Sequence, residues 1–420
     1  MMALVPVHGG LDRPVNAVLP LSRRKALVTE AAAMPRIAVA DGDLSVVRRF
    51  ADGTLSPFNG PMDEETWNHV LSERCIVRNG TRYAWTIPIA LPITDAEASS
   101  LSVGAFAALV DSSGSTVGTL KISSIYEWDK QHYVERVYGT SRMDHPGANI
   151  ATGDSRSTLV GGELQVLAWP KNPAFGSSET SPAMTRAFIE DRGWEAALAF
   201  QTRNPLHRAH EYALVHGVQE LTRSGVFAGV VLHPLVGQLK GDDVDAATRM
   251  VCYRTLIDNQ LLGQGDSDAS LWDGAGYEIN EVFELLALDM KMYYGGPSEA
   301  VMHGIYRQNH GFSHIVIGRK HADAPYADKT PIWGDFDAQA IFDDLGAELH
   351  INPVKVGFAA YYDHLGRVDL MSNHPDAKAF FISGTKVREI LMSGDRPDPR
   401  IIRGEVADVL IETYKNRQGA

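Results

Sequence analysis

Residues 196–211 read AALAFQTRNPLHRAHE. The first five are small or apolar and uncharged, which predicts a short buried strand. Polar and basic side chains then crowd its end: Gln201, Thr202, Arg203 and Asn204, followed by His207, Arg208 and His210. A helical pattern follows over about 207–222. Pro205 suits a helix start, because a first-turn position needs no N–H bond. His207 and His210 are three apart and so share a helix face. A helix start offers free amides and the positive end of the dipole, and two imidazoles there can donate to phosphate oxygens. A surface helix with solvated histidines is another reading. A zinc pair is a third, although it would want a further ligand and more often a four-residue spacing.

The same rhythm continues downstream. Strands are predicted at 226–232, 285–293 and 314–317, with helices over about 243–262, 297–310 and 336–346. Strands alternating with helices of this length imply a parallel α/β sheet. Ligands of such sheets sit at the carboxyl ends of the strands, so the loops after strands one, two and four matter most. The second loop runs from His233 through Lys240 and Gly241 to Asp242 and Asp243. Lys240 beside a glycine suits a phosphate-facing loop. Either aspartate suits a helix N-cap, with a direct catalytic or Mg2+ role as the alternative. The fourth loop begins Gly318, Arg319, Lys320, His321, Ala322. Its position favours an anion pocket over a solvated charge run. Near the C-terminus, 381–390 reads as a strand end, a Ser/Gly/Thr turn and a helix. Thr385 and the first amides suit phosphate oxygens, with Lys386 or Arg388 adding charge; a plain capped helix is the other reading.

Upstream, residues 1–180 read as β-rich. Runs at 83–89, 104–110, 115–125, 131–138 and 163–168 are predicted strands, with turns at Asn79-Gly80 and Ser113-Gly114. WPKNPAFGSSETSP at 169–182 is the candidate linker. A chain of 420 residues suits two or three domains. The divisions expected are 1–180, 181–355 and a small C-terminal region, 356–420. The net charge of −13 argues against a broad nucleic-acid or anionic-membrane surface. It leaves room for an anionic substrate in a local basic pocket. Cys75 and Cys252 form no CxxC, so buried thiols are expected rather than a disulfide framework or a zinc cluster. No apolar run reaches membrane-span length, and none follows Arg23, Arg24 and Lys25 as a leader would require. The cytoplasm is the expected location.

The run QTRNPLHRAHE resembles the signature of the ATP sulfurylases. HPLVGxxKxDD at 233–243, GGPxEA at 295–300, GRxHA at 318–322 and ISGTxVRE at 382–389 follow in that family's order. The resemblance is strong from about 180 to 392, and the N-terminal half is similar, by weaker signals, to the family's PUA-like domain. It implies an α/β fold: a parallel Rossmann-like nucleotidylyltransferase sheet, preceded by a β-rich PUA-like domain and followed by a small α/β region. It implies an enzyme that joins ATP and sulfate into adenylyl sulfate and diphosphate, reversibly and by direct in-line attack.

Residue by residue, the resemblance implies that Gln201, Arg203 and the Ala322 backbone amide hold sulfate. Thr202, Arg203 and Asn204 would form the catalytic loop. His207 and His210 would steady the α- and β-phosphates. Gln201, Thr202, Asn204, Gly318, Arg319, Lys320 and His321 would lie along the nucleotide. His233, Lys240, Lys386 and Arg388 are further candidates. Mg2+ is expected to arrive with ATP, with no zinc and no metal held by the protein. A homo-oligomer is expected, and no nucleic-acid or membrane partner. The family more often has Asp at Lys320 and Arg at Ser298. No GxxxxGK[ST] is present, so the adenylyl-sulfate kinase domain of some relatives is not expected. The rival readings are another nucleotidylyltransferase of the same fold and a non-catalytic nucleotide-binding protein. The presence of both histidines disfavours the second.

Overall fold

The computed structural model describes residues 4–237 and 244–418, so Lys240, Asp242 and Asp243 lie outside the described residues. Five parallel strands stand in the spatial order Phe283–Leu285, Ala228–Leu232, Ala196–Phe200, His314–Ile317, Asn352–Lys355. The chain builds outward from Ala196–Phe200 to one side, then returns to build on the other. The strand order therefore reverses between Ala196–Phe200 and His314–Ile317, which opens a crevice at their carboxyl ends.

Every residue of Ala196–Phe200 and Ala228–Leu232 is buried. Alternate side chains serve two cores, as a strand's period of two requires. Leu198, Phe200, Val230 and Leu232 pack with the helices Arg208–Arg223, Ala246–Asp258 and Gly404–Gln418. Ala197, Ala199 and Val231 pack with Pro182–Arg192 and Gly296–Asn309. The C-terminal region adds the hairpin Ala359–Tyr362/Arg367–Leu370 and the helix Gly384–Met392.

Two sheet expectations needed correction. The third strand is Phe283–Leu285, not 285–293. Beyond it Leu288, Met290, Met292 and Tyr294 do alternate inward, but into the N-terminal core. The period of two was real, and its partner was a different domain. The fifth strand, Asn352–Lys355, was not foreseen. It is a half-exposed edge strand containing Pro353, so its apolar signal is weak.

The N-terminal sheet runs Arg36–Ala38, Phe106–Val110, Thr116–Glu127, Thr158–Val166, Leu91–Ile93, antiparallel except for the first pair. Asn79 and Gly80 both take positive φ, 51° and 80°, and close the hairpin Cys75–Arg78/Thr81–Ala84 as that dipeptide predicts. Helices flank this sheet that the sequence reading did not identify. One replaces an expected strand: 131–138 lies in the helix Lys130–Tyr138. Its aromatic and β-branched residues suggested a strand. The Asp129 side chain accepts from His132 N at 2.9 Å and starts the helix. Tyr133, Val134, Val137 and Tyr138 are buried on one helical face, with Tyr133 stacked on Trp67 at 5.5 Å.

Helix Gly296–Asn309 is the seam between the domains. All of it except Pro297 is buried. Val301, Met302, Ile305 and Tyr306 join the N-terminal core, while Ala300 joins that of the parallel sheet. Its buried polar groups are bonded across the seam: Asn309 Nδ2 donates to Thr54 O and Ser56 O, both at 2.9 Å.

The seam makes the fold acid-sensitive. Burial holds His8 down at about 4 from 6.5, and holds His233, His303 and His310 well below their ordinary value. These rings stay neutral in the folded chain and take up protons once unfolded. Stability is then complete above about 6.5 and is lost as pH falls from there toward the folded values. For His8 alone the difference is worth roughly 3 kcal/mol. Glu299, whose carboxyl burial pushes up from 4.5 to about 7, and Asp52, which burial also raises, work the other way, but they are two groups against four. We expect the Tm to fall steeply between about pH 6.5 and 4.5. A Tm that stays flat across that range in calorimetry would contradict neutral burial.

Candidate active site

A cleft of about 400 Å³ opens where Ala196–Phe200 and His314–Ile317 end. Gln201, Thr202, Arg203, Asn204, His207 and His210 line one side. Gly318, Arg319, Lys320, His321 and Ala322 line the other. Two loops more than a hundred residues apart meet because their strands are neighbours in the sheet.

The first loop is pinned by its backbone. His233 N donates to Phe200 O at 2.8 Å and Leu235 N to Thr202 O at 3.0 Å. Tyr253 Oη donates to Asn204 O at 2.7 Å, and Asn204 N to Thr202 Oγ1 at 3.1 Å. Arg203 lies over the Tyr294 ring, with its guanidinium carbon 5.1 Å from the ring centre. Its Nη1 is buried with no hydrogen-bond partner among the described residues, as is Gln201 Oε1. Buried polar atoms are rarely left so unless a ligand or water serves them.

Helix Arg208–Arg223 begins just after His207. The rings of His207 and His210 stack with centroids 3.8 Å apart. Burial lowers His207 to about 4, and burial with His207 beside it lowers His210 well below its ordinary value. Both are therefore neutral near pH 7 in the free protein. The helix start is a narrower anion site than the sequence suggested. The amide of Arg208 donates to Ile401 O, and those of His210 and Glu211 to His207 O. At most the Ala209 amide remains, so the imidazoles themselves must do most of the donating. The C-terminal region also supports this turn: Arg403 Nε donates to Glu211 Oε2 at 2.8 Å.

The second loop carries less charge than its composition suggests. Arg319 and Lys320 share Asp335, at 3.1 and 3.7 Å. Arg319 also lies 4.3 Å from the Phe358 ring centre. His321 turns inward to His303, and burial holds it at about 3. Lys320 and Ala322 adopt left-handed φ of 49° and 56°, and within this turn the Lys320 amide donates to Asp335 O at 2.9 Å and the Asp323 amide to Lys320 O at 3.1 Å. At Ser298, where the family more often has arginine, Arg74 Nη2 of the N-terminal region donates to Ser298 Oγ at 3.3 Å.

Three further candidates lie elsewhere. His233 is fully buried against His310 and Phe312 and does not line the cleft. Its backbone, not its ring, serves the site. Lys386 is exposed and pairs with Glu389 at 3.2 Å; Arg388 is on the same exposed helix. Ser383 caps that helix by accepting from Lys386 N at 3.2 Å, as in the plain capped-helix reading. Conversely, sequence reasoning missed Met292 and the wall formed by Val356, Gly357, Phe358 and Ala359. It also missed Tyr294, Glu299 and His303 behind the loops. For Glu299 a signal existed, the acid of the GGPxEA motif at 295–300; for Phe358 there was none, because the fifth strand itself was not seen.

The ATP-sulfurylase family model matches residues 177–413, and a PUA-like domain model matches residues 5–169. A protein named sulfate adenylyltransferase from Pyropia yezoensis is 49% identical over 417 residues, covering 99% of this chain and 98% of that one. Another of that name, from Trichormus variabilis, is 33% identical over 415 residues, covering 98% and 97%. Among solved structures, the hexameric APS kinase from Thiobacillus denitrificans shares the fold, with a TM-score of 0.70 at 20% identity over 98% of this chain and 69% of that one. With the cleft assembled from the same motifs and a family match over more than half its length, the chain belongs to the ATP-sulfurylase family.

Proposed function

We propose that the chain is a sulfate adenylyltransferase, converting ATP and sulfate to adenylyl sulfate and diphosphate. One observation carries the reading: Arg203, stacked on Tyr294 beside Gln201, keeps a buried Nη1 unbonded at the end of a pinned loop. A guanidinium there fits two oxygens of a tetrahedral dianion. Gln201 and the Ala322 amide complete the sulfate end. His207 and His210 hold the α- and β-phosphates. Thr202 and Asn204 shape the loop between, and Gly318 to His321 run along the nucleotide.

Sulfate is a dianion at neutral pH and needs no general base. A sulfate oxygen attacks the α-phosphorus, an O–P bond forms, and diphosphate leaves in line with its electron pair. No side chain becomes covalently bound. Arg203 and Gln201 orient the nucleophile; the paired imidazoles donate to oxygens that gain charge as the bond to diphosphate breaks. Among the described residues the cleft wall offers one carboxylate, Asp323, and no metal-holding cluster is formed. Those residues do not make a cage for Mg2+, so it is assigned to the triphosphate and no step is drawn through it. A cytoplasmic homo-oligomer is proposed as well, and light scattering checks the assembly. No helix among the described residues is long and apolar enough to cross a membrane.

The test is diphosphate release from MgATP with and without sulfate, together with ATP formation from adenylyl sulfate and diphosphate. Sulfate-dependent release in one direction and ATP in the other are expected. Release that instead requires a phosphate ester or nucleotide acceptor would transfer the reading to another nucleotidylyltransferase. No turnover in either direction would favour a nucleotide-binding protein.

A further inference from the structure

Behind the cleft lies a buried chain of side chains that the reaction above does not use. Glu299 and His303, one turn apart on helix Gly296–Asn309, are both fully buried. The Glu299 carboxylate accepts from Tyr293 N at 2.8 Å and Gly295 N at 2.9 Å. The oxygen that accepts from Tyr293 N, Oε1, also lies 3.3 Å from His303 Nε2. The other nitrogen, His303 Nδ1, lies 2.9 Å from His321 Nε2 and 3.0 Å from Gln201 Nε2, which is nearer to it than to Nε2, at 3.5 Å. Three elements distant in sequence thus meet on one imidazole.

A neutral imidazole has one N–H and one lone pair, and the partner of one nitrogen decides the role of the other. An ionised Glu299 can only accept, so its oxygen 3.3 Å away favours the proton on Nε2 and leaves Nδ1 to accept. Gln201 then has to turn its amide nitrogen, not its oxygen, toward His303. That leaves a second amide hydrogen for a ligand. The single Nδ1 lone pair is then shared by the Gln201 N–H and the His321 Nε2–H, which both point at it. We propose that Glu299 and His303 are a positioning pair for the sulfate end, fixing through one ring tautomer which way the Gln201 amide and the His321 ring are turned. Neither residue touches substrate. The inference rests on the reading that Gln201 meets sulfate.

The experiment pairs kinetics with nitrogen-15 resonances of the His303 ring. It is run at about pH 8, because burial pushes the Glu299 carboxyl up to about 7 and it must be ionised. The wild-type ring is expected to carry its proton on Nε2. In Glu299→Gln the amide must set its NH2 against the N–H of Tyr293 or of Gly295; on the Tyr293 side it also faces Nε2, driving the proton to Nδ1 and turning Gln201 over. The KM for sulfate should then rise about 10- to 100-fold, the worth of one hydrogen bond to a charged group. The KM for ATP should change much less, because most of the groups along the nucleotide do not bond to His303. A wild-type ring protonated on Nδ1 overturns the proposal without any variant. So does a Glu299→Gln enzyme with wild-type sulfate KM, or one in which both KM values rise together with a lower Tm, which would mark a merely structural role. Gln201→Ala is the control for the underlying reading. If it leaves the sulfate KM unchanged, Gln201 does not meet sulfate, while the ring tautomer still reports on the pair itself.

Discussion

Replacing Arg203 by lysine is expected to cost about 100-fold in sulfate-dependent turnover, since small misplacements of reacting atoms are that expensive. ATP binding should stay near wild type. Lysine keeps the positive charge but offers a rotatable point donor on a flexible stem, not two parallel N–H groups in a fixed plane. It also loses the planar contact with Tyr294, whose ring centre is 5.1 Å from the Arg203 guanidinium carbon and holds it toward the cleft. Arg203→Ala should be worse, because the sulfate end then loses its counter-charge too. Selenate, a tetrahedral dianion of similar shape, should be accepted by the wild type. The measurement is sulfate-dependent exchange between ATP and diphosphate for wild type and both variants. A lysine variant as active as wild type would reduce Arg203 to an electrostatic attractor. An alanine variant as active as wild type would place sulfate elsewhere.

Changing His207 or His210 to alanine should raise the barrier to turnover by roughly 2–4 kcal/mol, as for loss of a donor aimed at developing negative charge. ATP affinity should change much less. The stacked geometry adds a condition: with centroids 3.8 Å apart, each ring also holds the other in place. Removing both should therefore cost less than the sum of the single losses, as is usual for residues acting as a unit. Burial keeps both rings neutral in the free protein, so they act as hydrogen-bond donors and not as fixed cations. Steady-state kcat together with ATP binding by calorimetry separates the possibilities. Normal kcat with poor ATP affinity would mean that the pair binds only the ground-state nucleotide.

Residues 196–211 by themselves determined a great deal. An uncharged five-residue run ending in polar residues reads as a buried strand that delivers side chains at its carboxyl end, which gave the first wall of the cleft, and the alternation of strands and helices after it gave the parallel sheet. The cluster at 318–322 gave the second wall for the same reason. Asn79-Gly80 determined its turn, because few dipeptides tolerate two positive φ values. Each of these signals is local.

What the tertiary structure decided is in every case a matter of partners. Periodicity says that Leu288, Met290 and Met292 are buried, but not that they are buried in the neighbouring domain. Composition says that Arg319, Lys320 and His321 are basic, but not that Asp335 offsets two of them or that His303 draws the third inward. The tyrosines and valines of 131–138 are equally apolar as strand or helix, and Trp67 together with the Asp129 cap settles the matter. The Glu299–His303–Gln201 chain depends on a helix held between two cores, and no stretch of sequence contains it. A side chain's own chemistry is written in the sequence; its protonation, its orientation and the charge it presents depend on groups brought to it from a hundred residues away.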